Sequence, residues 1–118
     1  MKKVAVIGAG SWGTALAVTL STKGHRVKIC DVNKEHVFNM KEHRENIKYL
    51  PGIKFNENLT VADSNRETIK DSDIVLFSAP AQHFRSAFES AKDYITEDMV
   101  VVNVAKGIEQ GTLLRMSE

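Results

Sequence analysis

The stretch MKKVAVIGAGSWGT, Met1 to Thr14, decides the fold. Val4, Ala5, Val6 and Ile7 form a short apolar run, long enough for a strand buried on both faces and too short for a helix. Gly8, Gly10 and Gly13 follow with the spacing G-x-G-x-x-G, and Trp12, Leu16 and Leu20 then recur at i, i+4 and i+8 as an amphipathic stripe. Strand, glycine turn and helix stand in the order a dinucleotide site needs. Gly8 is expected to permit the tight turn, Gly10 to leave room for a pyrophosphate, and Gly13 to let helix and strand pack closely. The free N–H groups of the helix's first turn then face the phosphates, aided by the positive end of the helix dipole. A strand–turn–helix that binds nothing is the structural alternative.

Outward from this unit, the next apolar run, Val27 to Cys30, ends in a carboxylate, Asp31. Asp31 follows Gly13 at close to the ~20-residue spacing expected of a group that binds the adenosine ribose. A carboxylate accepts hydrogen bonds from both ribose hydroxyls of NAD and repels the 2′-phosphate of NADP. Two unit charges ~4 Å apart interact by ~1 kcal/mol in water and ~4 kcal/mol near a protein surface. NAD is therefore the favoured cofactor, with Lys28 and Lys34 close enough in sequence to soften the penalty on NADP.

The rest of the chain alternates strands and helices. A first helix is expected from Ser11 to Lys23, stopped by Gly24. A polar helix capped by Asn33 runs from Lys34 to about Glu45, with Val37 and Met40 inward and its histidines, His36 and His43, on a solvated face. Tyr49 to Gly52 reads as a turn-rich connection and Leu59 to Ala62 as a short strand. Ser64 to Asp71 carries a weak helical pattern. Ile74 to Phe77 is a strand, Gln82 to Tyr94 a helix with Phe84, Ala87, Phe88 and Ala91 on one side, and Met99 to Val104 the last buried strand. A final helix is expected from Thr112 to Glu118. Five strands joined by helices predict a Rossmann-type α/β fold: a doubly wound parallel sheet in three layers, strand order 3-2-1-4-5. The chain stops before a sixth strand, as a truncated piece would.

The 118 residues suffice for one compact domain, read as a dinucleotide-binding domain over 1–118. A net charge of +1 gives no electrostatic case for nucleic acid or an anionic membrane, and no apolar run approaches the ~20 residues of a membrane span. The lone Cys30 inside a strand reads as a small buried hydrophobe, and with no signal peptide a cytoplasmic location is expected.

Four blocks, in order and in register, resemble the bacterial NAD(P)-dependent glycerol-3-phosphate dehydrogenases. They are Gly8 to Ala17, Asn46 to Gly52 (N-x-x-Y-L-P), Pro80 to Arg85 (P-[SA]-Q-x-x-R) and Ala105 to Glu109 ([TSA]-K-G-[IL]-E). The resemblance implies a hydride transfer between a nicotinamide cofactor and dihydroxyacetone phosphate, yielding sn-glycerol 3-phosphate for phospholipid synthesis. It implies that Ser11 and Trp12 bind the cofactor through the glycine turn and that Pro80 lies near the nicotinamide. Lys106 stands where the family places a lysine touching both cofactor and glycerol phosphate. Without the resemblance, Lys106 reads as a solvated loop lysine and His83 as structural or exposed. Many family members carry a histidine or arginine just after the second strand, where this chain has Asp31-Val32-Asn33.

The family's general acid lies in a helical C-terminal domain beyond residue 118, so this chain is expected to bind cofactor and turn over little. The full-length protein is expected to be a homo-oligomer. Two competing readings remain: a stand-alone dinucleotide-sensing module, and another NAD(P)-dependent dehydrogenase of a hydroxy or sugar acid. An FAD enzyme shares only the glycine fingerprint.

Overall fold

A computed structural model describes residues 2–78, 81–104 and 114–115. Its strands and helices are β1 (Lys3–Ile7), α1 (Ser11–Thr22), β2 (Arg26–Cys30), α2 (Lys34–His43), β3 (Glu45–Asn46), β4 (Leu50–Lys54), β5 (Leu59–Val61), α3 (Asn65–Ile69), β6 (Ile74–Phe77), α4 (Ala81–Ala91), β7 (Val100–Asn103) and β8 (Leu114–Arg115). The main sheet runs β5-β2-β1-β6-β7-β8. Its first five strands are parallel. Numbered among themselves they follow the expected order 3-2-1-4-5.

The apolar run of β1 is continuous because the strand is central and covered on both faces. Val4 and Val6 pack with Ala17 of α1 and with Val37 and Met40 of α2. Ala5 and Ile7 turn to the other side, against Ile69 of α3 and Ala91 of α4. Helices on both faces make the three layers.

The close of α1 follows its sequence signal. Gly24 takes φ +102°, its N–H bonds to the Ser21 carbonyl at 3.1 Å, and the His25 N–H reaches the Leu20 carbonyl at 3.1 Å. This pair of bonds satisfies carbonyls that the helix end leaves open.

The buried line of α1 is Gly13, Ala17 and Ser21, with Thr14 beside it. Of the expected stripe, Leu16 and Leu20 are half-buried and pack against the core, whereas Trp12 is 47% exposed. At Gly13 the helix comes so close to the end of β1 that a side chain there would meet the Gly8 carbonyl oxygen.

Between α2 and β5 the chain does more than turn. Arg44 adopts a left-handed conformation (φ 52°), which ends α2 two residues before the expected Glu45. β3 and β4 then form a small antiparallel hairpin.

At the other end, Leu114 and Arg115 pair antiparallel with Asn103 and Val102, where a helix was expected. The free side of β7 offers unpaired backbone groups, and a returning strand satisfies them. The remaining residues of that expected helix lie outside the described residues.

Candidate functional site

The carboxyl ends of β1 and β2 and the N-terminus of α1 meet in a crevice of about 650 Å³. Gly8, Ala9 and Gly10 line it, with Asp31, Val32 and Asn33 after β2, His36 of α2, Lys48 and Tyr49 of the hairpin, and Ser78, Ser86, Ala87 and Ser90. A crevice outside the carboxyl ends of strands is where open α/β sheets bind ligands.

Each glycine of the turn has its own geometric reason. Gly8 sits at φ +109°, and a Cβ there would stand 2.9 Å from the Ser78 carbonyl oxygen. A Cβ on Gly13 would lie 2.3 Å from the Gly8 carbonyl oxygen and 2.9 Å from the Ser78 side chain. A Cβ on Gly10 would meet nothing within 4 Å. So Gly8 and Gly13 are required by the fold itself, whereas the protein leaves the space at Gly10 free.

Gly10 is also the N-cap of α1, with no side chain capping the helix. The Thr14 N–H reaches the Gly10 carbonyl at 3.1 Å as the first bond of the helical ladder. The N–H groups of Ser11, Trp12 and Gly13 precede that ladder. An anion fits this end of the helix, because donors and dipole both favour negative charge.

Asp31 is tied into the turn. Its Oδ1 accepts the Ala9 N–H at 2.8 Å and its Oδ2 accepts the Asn33 N–H at 3.1 Å. Val32, next to it, is 79% exposed and brings no charge. Lys28 and Lys34, expected to temper the Asp31 charge, are engaged elsewhere. The Lys28 ammonium donates to the Glu67 and Lys70 carbonyls, and that of Lys34 to the Asp63 carbonyl. Among the described residues, the lysine that lines the crevice is Lys48, whose Nζ stands 5.2 Å from the Tyr49 ring centroid.

The carbonyl of Ala9 accepts from two side chains. The Nε2 of His36 lies 3.0 Å from it and the Nδ2 of Asn46 2.9 Å. A carbonyl oxygen only accepts, so His36 carries its proton on Nε2. This corrects the expectation of a solvated His36, which is buried beneath the turn while His43 is exposed. Asn46 is fully buried, also donates to the Thr14 hydroxyl at 2.7 Å, and accepts the Tyr49 N–H at 3.1 Å. The Ser11 hydroxyl in turn donates to the Tyr49 carbonyl at 3.3 Å.

His36 and Asn46 carry no recognisable signal singly. The opening asparagine of the N-x-x-Y-L-P block was the available clue to Asn46. Among the described residues no group of three or more histidines, cysteines or carboxylates could hold a metal ion, and no helix is long and apolar enough to cross a membrane. Lys106 and Pro80 lie outside the described residues, as do the side chains of His83 and Phe84.

The profile of the family described as NAD-dependent glycerol-3-phosphate dehydrogenase N-terminus matches residues 3–118. The chain belongs to that family. Glycerol-3-phosphate dehydrogenase [NAD(P)+] of Agathobacter rectalis is 39% identical over 118 residues, covering all of this chain and 35% of the relative. The enzyme of the same name from Chlorobium phaeobacteroides is 43% identical over 116 residues, or 98% of this chain and 35% of the relative. The solved structure of glycerol-3-phosphate dehydrogenase from Coxiella burnetii superposes with a TM-score of 0.84 at 29% identity, covering 88% of this chain and 32% of that one. The chain thus spans about a third of the length of these glycerol-3-phosphate dehydrogenases, at their N-terminal end.

Proposed function

We propose that residues 1–118 form the NAD(P)-binding domain of an oxidoreductase that interconverts sn-glycerol 3-phosphate and dihydroxyacetone phosphate. The observation that carries this reading is the free space at Gly10 beside the unladdered N–H groups of α1. A chain that only needed a turn would have no reason to keep that side of Gly10 bare.

A bound nicotinamide would supply the hydride chemistry. This chain's residues hold and orient the dinucleotide. Gly8, Gly10, Ser11, Trp12 and Gly13 receive the pyrophosphate against backbone, and Asp31 takes the adenosine ribose. The family resemblance assigns Pro80 to the nicotinamide half and Lys106 to both the cofactor and the substrate phosphate, where an ammonium would neutralise an anion or polarise a carbonyl oxygen. The general acid belongs to residues beyond 118, so these 118 residues alone turn over little or nothing. The same reading makes the full-length enzyme a cytoplasmic homo-oligomer serving phospholipid synthesis.

NAD is the favoured cofactor, supported by the Asp31 carboxylate and the absence of a cationic side chain at position 32. Calorimetric titration of the chain with NADH and with NADPH tests both halves of the proposal. Tight binding of either supports a cofactor domain, and binding of neither refutes it. Asp31→Asn keeps an acceptor for the Ala9 N–H while removing the charge. It is expected to shift the affinity ratio toward NADPH by about tenfold, the lower range of the charge repulsion. An unchanged ratio would overturn the role given to the carboxylate.

A further inference from the structure

Resting on the reading of the crevice as a dinucleotide site, we propose that His36 and Asn46 are positioning residues that lock the Ala9–Gly10 peptide plane and thereby set the cofactor affinity of the glycine turn. That peptide joins the Ala9 carbonyl to the Gly10 N–H. In a trans peptide the two point in opposite directions. Holding the carbonyl on His36 Nε2 and Asn46 Nδ2, at 3.0 and 2.9 Å, therefore fixes the direction of the Gly10 N–H.

A lock is needed because glycine populates positive and negative φ almost equally. The bare side of Gly10 that admits a phosphate also lets this peptide rotate. Rotation would exchange donor for acceptor on the face away from His36 and Asn46, and a carbonyl there would repel an anion. The preceding Ala9 N–H is held by Asp31 at 2.8 Å, so both ends of residue 9 are tied.

The lock spans three elements. His36 belongs to α2, Asn46 to β3, and Asn46 also grips Thr14 of α1. The hairpin, through the Tyr49 N–H on Asn46 and the Tyr49 carbonyl on Ser11, is thus a brace for the phosphate end of the crevice. Asn46 is fully buried and acts only through the turn, whereas His36, also buried, lines the crevice.

The test measures NADH dissociation constants by calorimetry and unfolding midpoints for wild type, His36→Leu, His36→Gln and Asn46→Ala. Glutamine carries an amide N–H at about the reach of Nε2 and leucine does not. The expected result is an NADH affinity about tenfold weaker in His36→Leu, restored to within about threefold in His36→Gln. Thr14→Val, which removes the second acceptor of Asn46, serves where Asn46→Ala fails to fold, and a several-fold weakening is expected from it. Folded His36→Leu that binds NADH as wild type does, or that lowers the midpoint with no change in affinity, would overturn the proposal. Wild type that binds neither NADH nor NADPH would instead refute the reading of the crevice itself.

Discussion

Replacing Gly13 or Gly10 with alanine adds the same methyl group, yet the two changes should fail in different ways. At Gly13 the new Cβ would begin 2.3 Å from the Gly8 carbonyl oxygen. Ordinary contact begins near 3.4 Å, so α1 and the end of β1 would have to separate by about 1.1 Å. Both sides of this contact are backbone, and α1 is seated on Ala17 and Ser21 just beyond. Overpacking of this kind costs about 1–3 kcal/mol, and the upper part of that range applies where no flexible side chain can give way. For a domain of this size that lowers the unfolding midpoint by roughly 8–12 °C.

At Gly10 the methyl group meets nothing, and φ −83° with ψ −164° is open to any residue. Only the poorer capping of alanine counts against it, under about 1 kcal/mol. Gly10→Ala should therefore fold nearly as wild type while binding NADH at least tenfold more weakly, because its Cβ occupies the space reserved for phosphate. Thermal unfolding and calorimetry on the same samples separate the two effects. A Gly13→Ala protein as stable as wild type, or a Gly10→Ala protein with unchanged NADH affinity, would falsify the division of labour among these glycines.

Other perturbations follow from particular contacts. Burial pushes the Cys30 thiol up to about 11, with the Asp31 charge adding to the rise and the Thr68 hydrogen bond opposing it. The folded chain thus keeps a proton that the unfolded chain loses near pH 9. The stabilisation is present below pH 9 and is lost as pH rises to about 11, roughly 2–3 kcal/mol in all. The stability of wild type relative to Cys30→Ala, measured by urea unfolding at pH 8.5 and 10.5, should fall accordingly, and a constant difference would refute it. Thiol labelling at pH 8 should be slow until urea unfolds the chain. Gly24→Ala should lower stability by about 1–2 kcal/mol through its positive φ, with NADH affinity unchanged in calorimetry. Asn33→Ala removes the side-chain oxygen that accepts the His36 N–H and should lower stability by about 1 kcal/mol in the same unfolding assay.

The parts of the fold that were legible in the sequence rest on local signals: apolar runs of strand length, a glycine spacing, and helix caps at Asn33 and Gly24. Those signals are sufficient because a strand segment buried on both faces is apolar throughout, so Val4 to Ile7 of β1 and all of β6 announce themselves. The missed features depend on what is near in space. Leu16 and Leu20 of the apolar stripe of α1 do pack against the core, but the fully buried line is Gly13, Ala17 and Ser21, because a side chain at Gly13 would meet the Gly8 carbonyl oxygen, and no helical periodicity encodes that contact. His36 was read as solvated, and Asn46 only as the start of a block, because their partner, the Ala9 carbonyl, is 27 and 37 residues away in sequence. Leu114 and Arg115 pair where the edge of β7 is open, which is a property of the sheet and not of those two residues. The glycine turn itself was legible in the sequence, and its bracing was not.

The central place of β1 also has a consequence for how the chain is made. Val4 pairs with Val27 on one side, 23 residues later, and with Ile74 on the other, 70 residues later. At ribosomal rates of roughly 5–20 residues per second, the second partner follows the first by several seconds. During that interval one edge of a strand that is apolar from Val4 to Ile7 has no native neighbour, and such an edge is a template for pairing with another chain. The most apolar strand of the glycine turn is therefore also the segment in greatest need of a chaperone while the polypeptide is being synthesised.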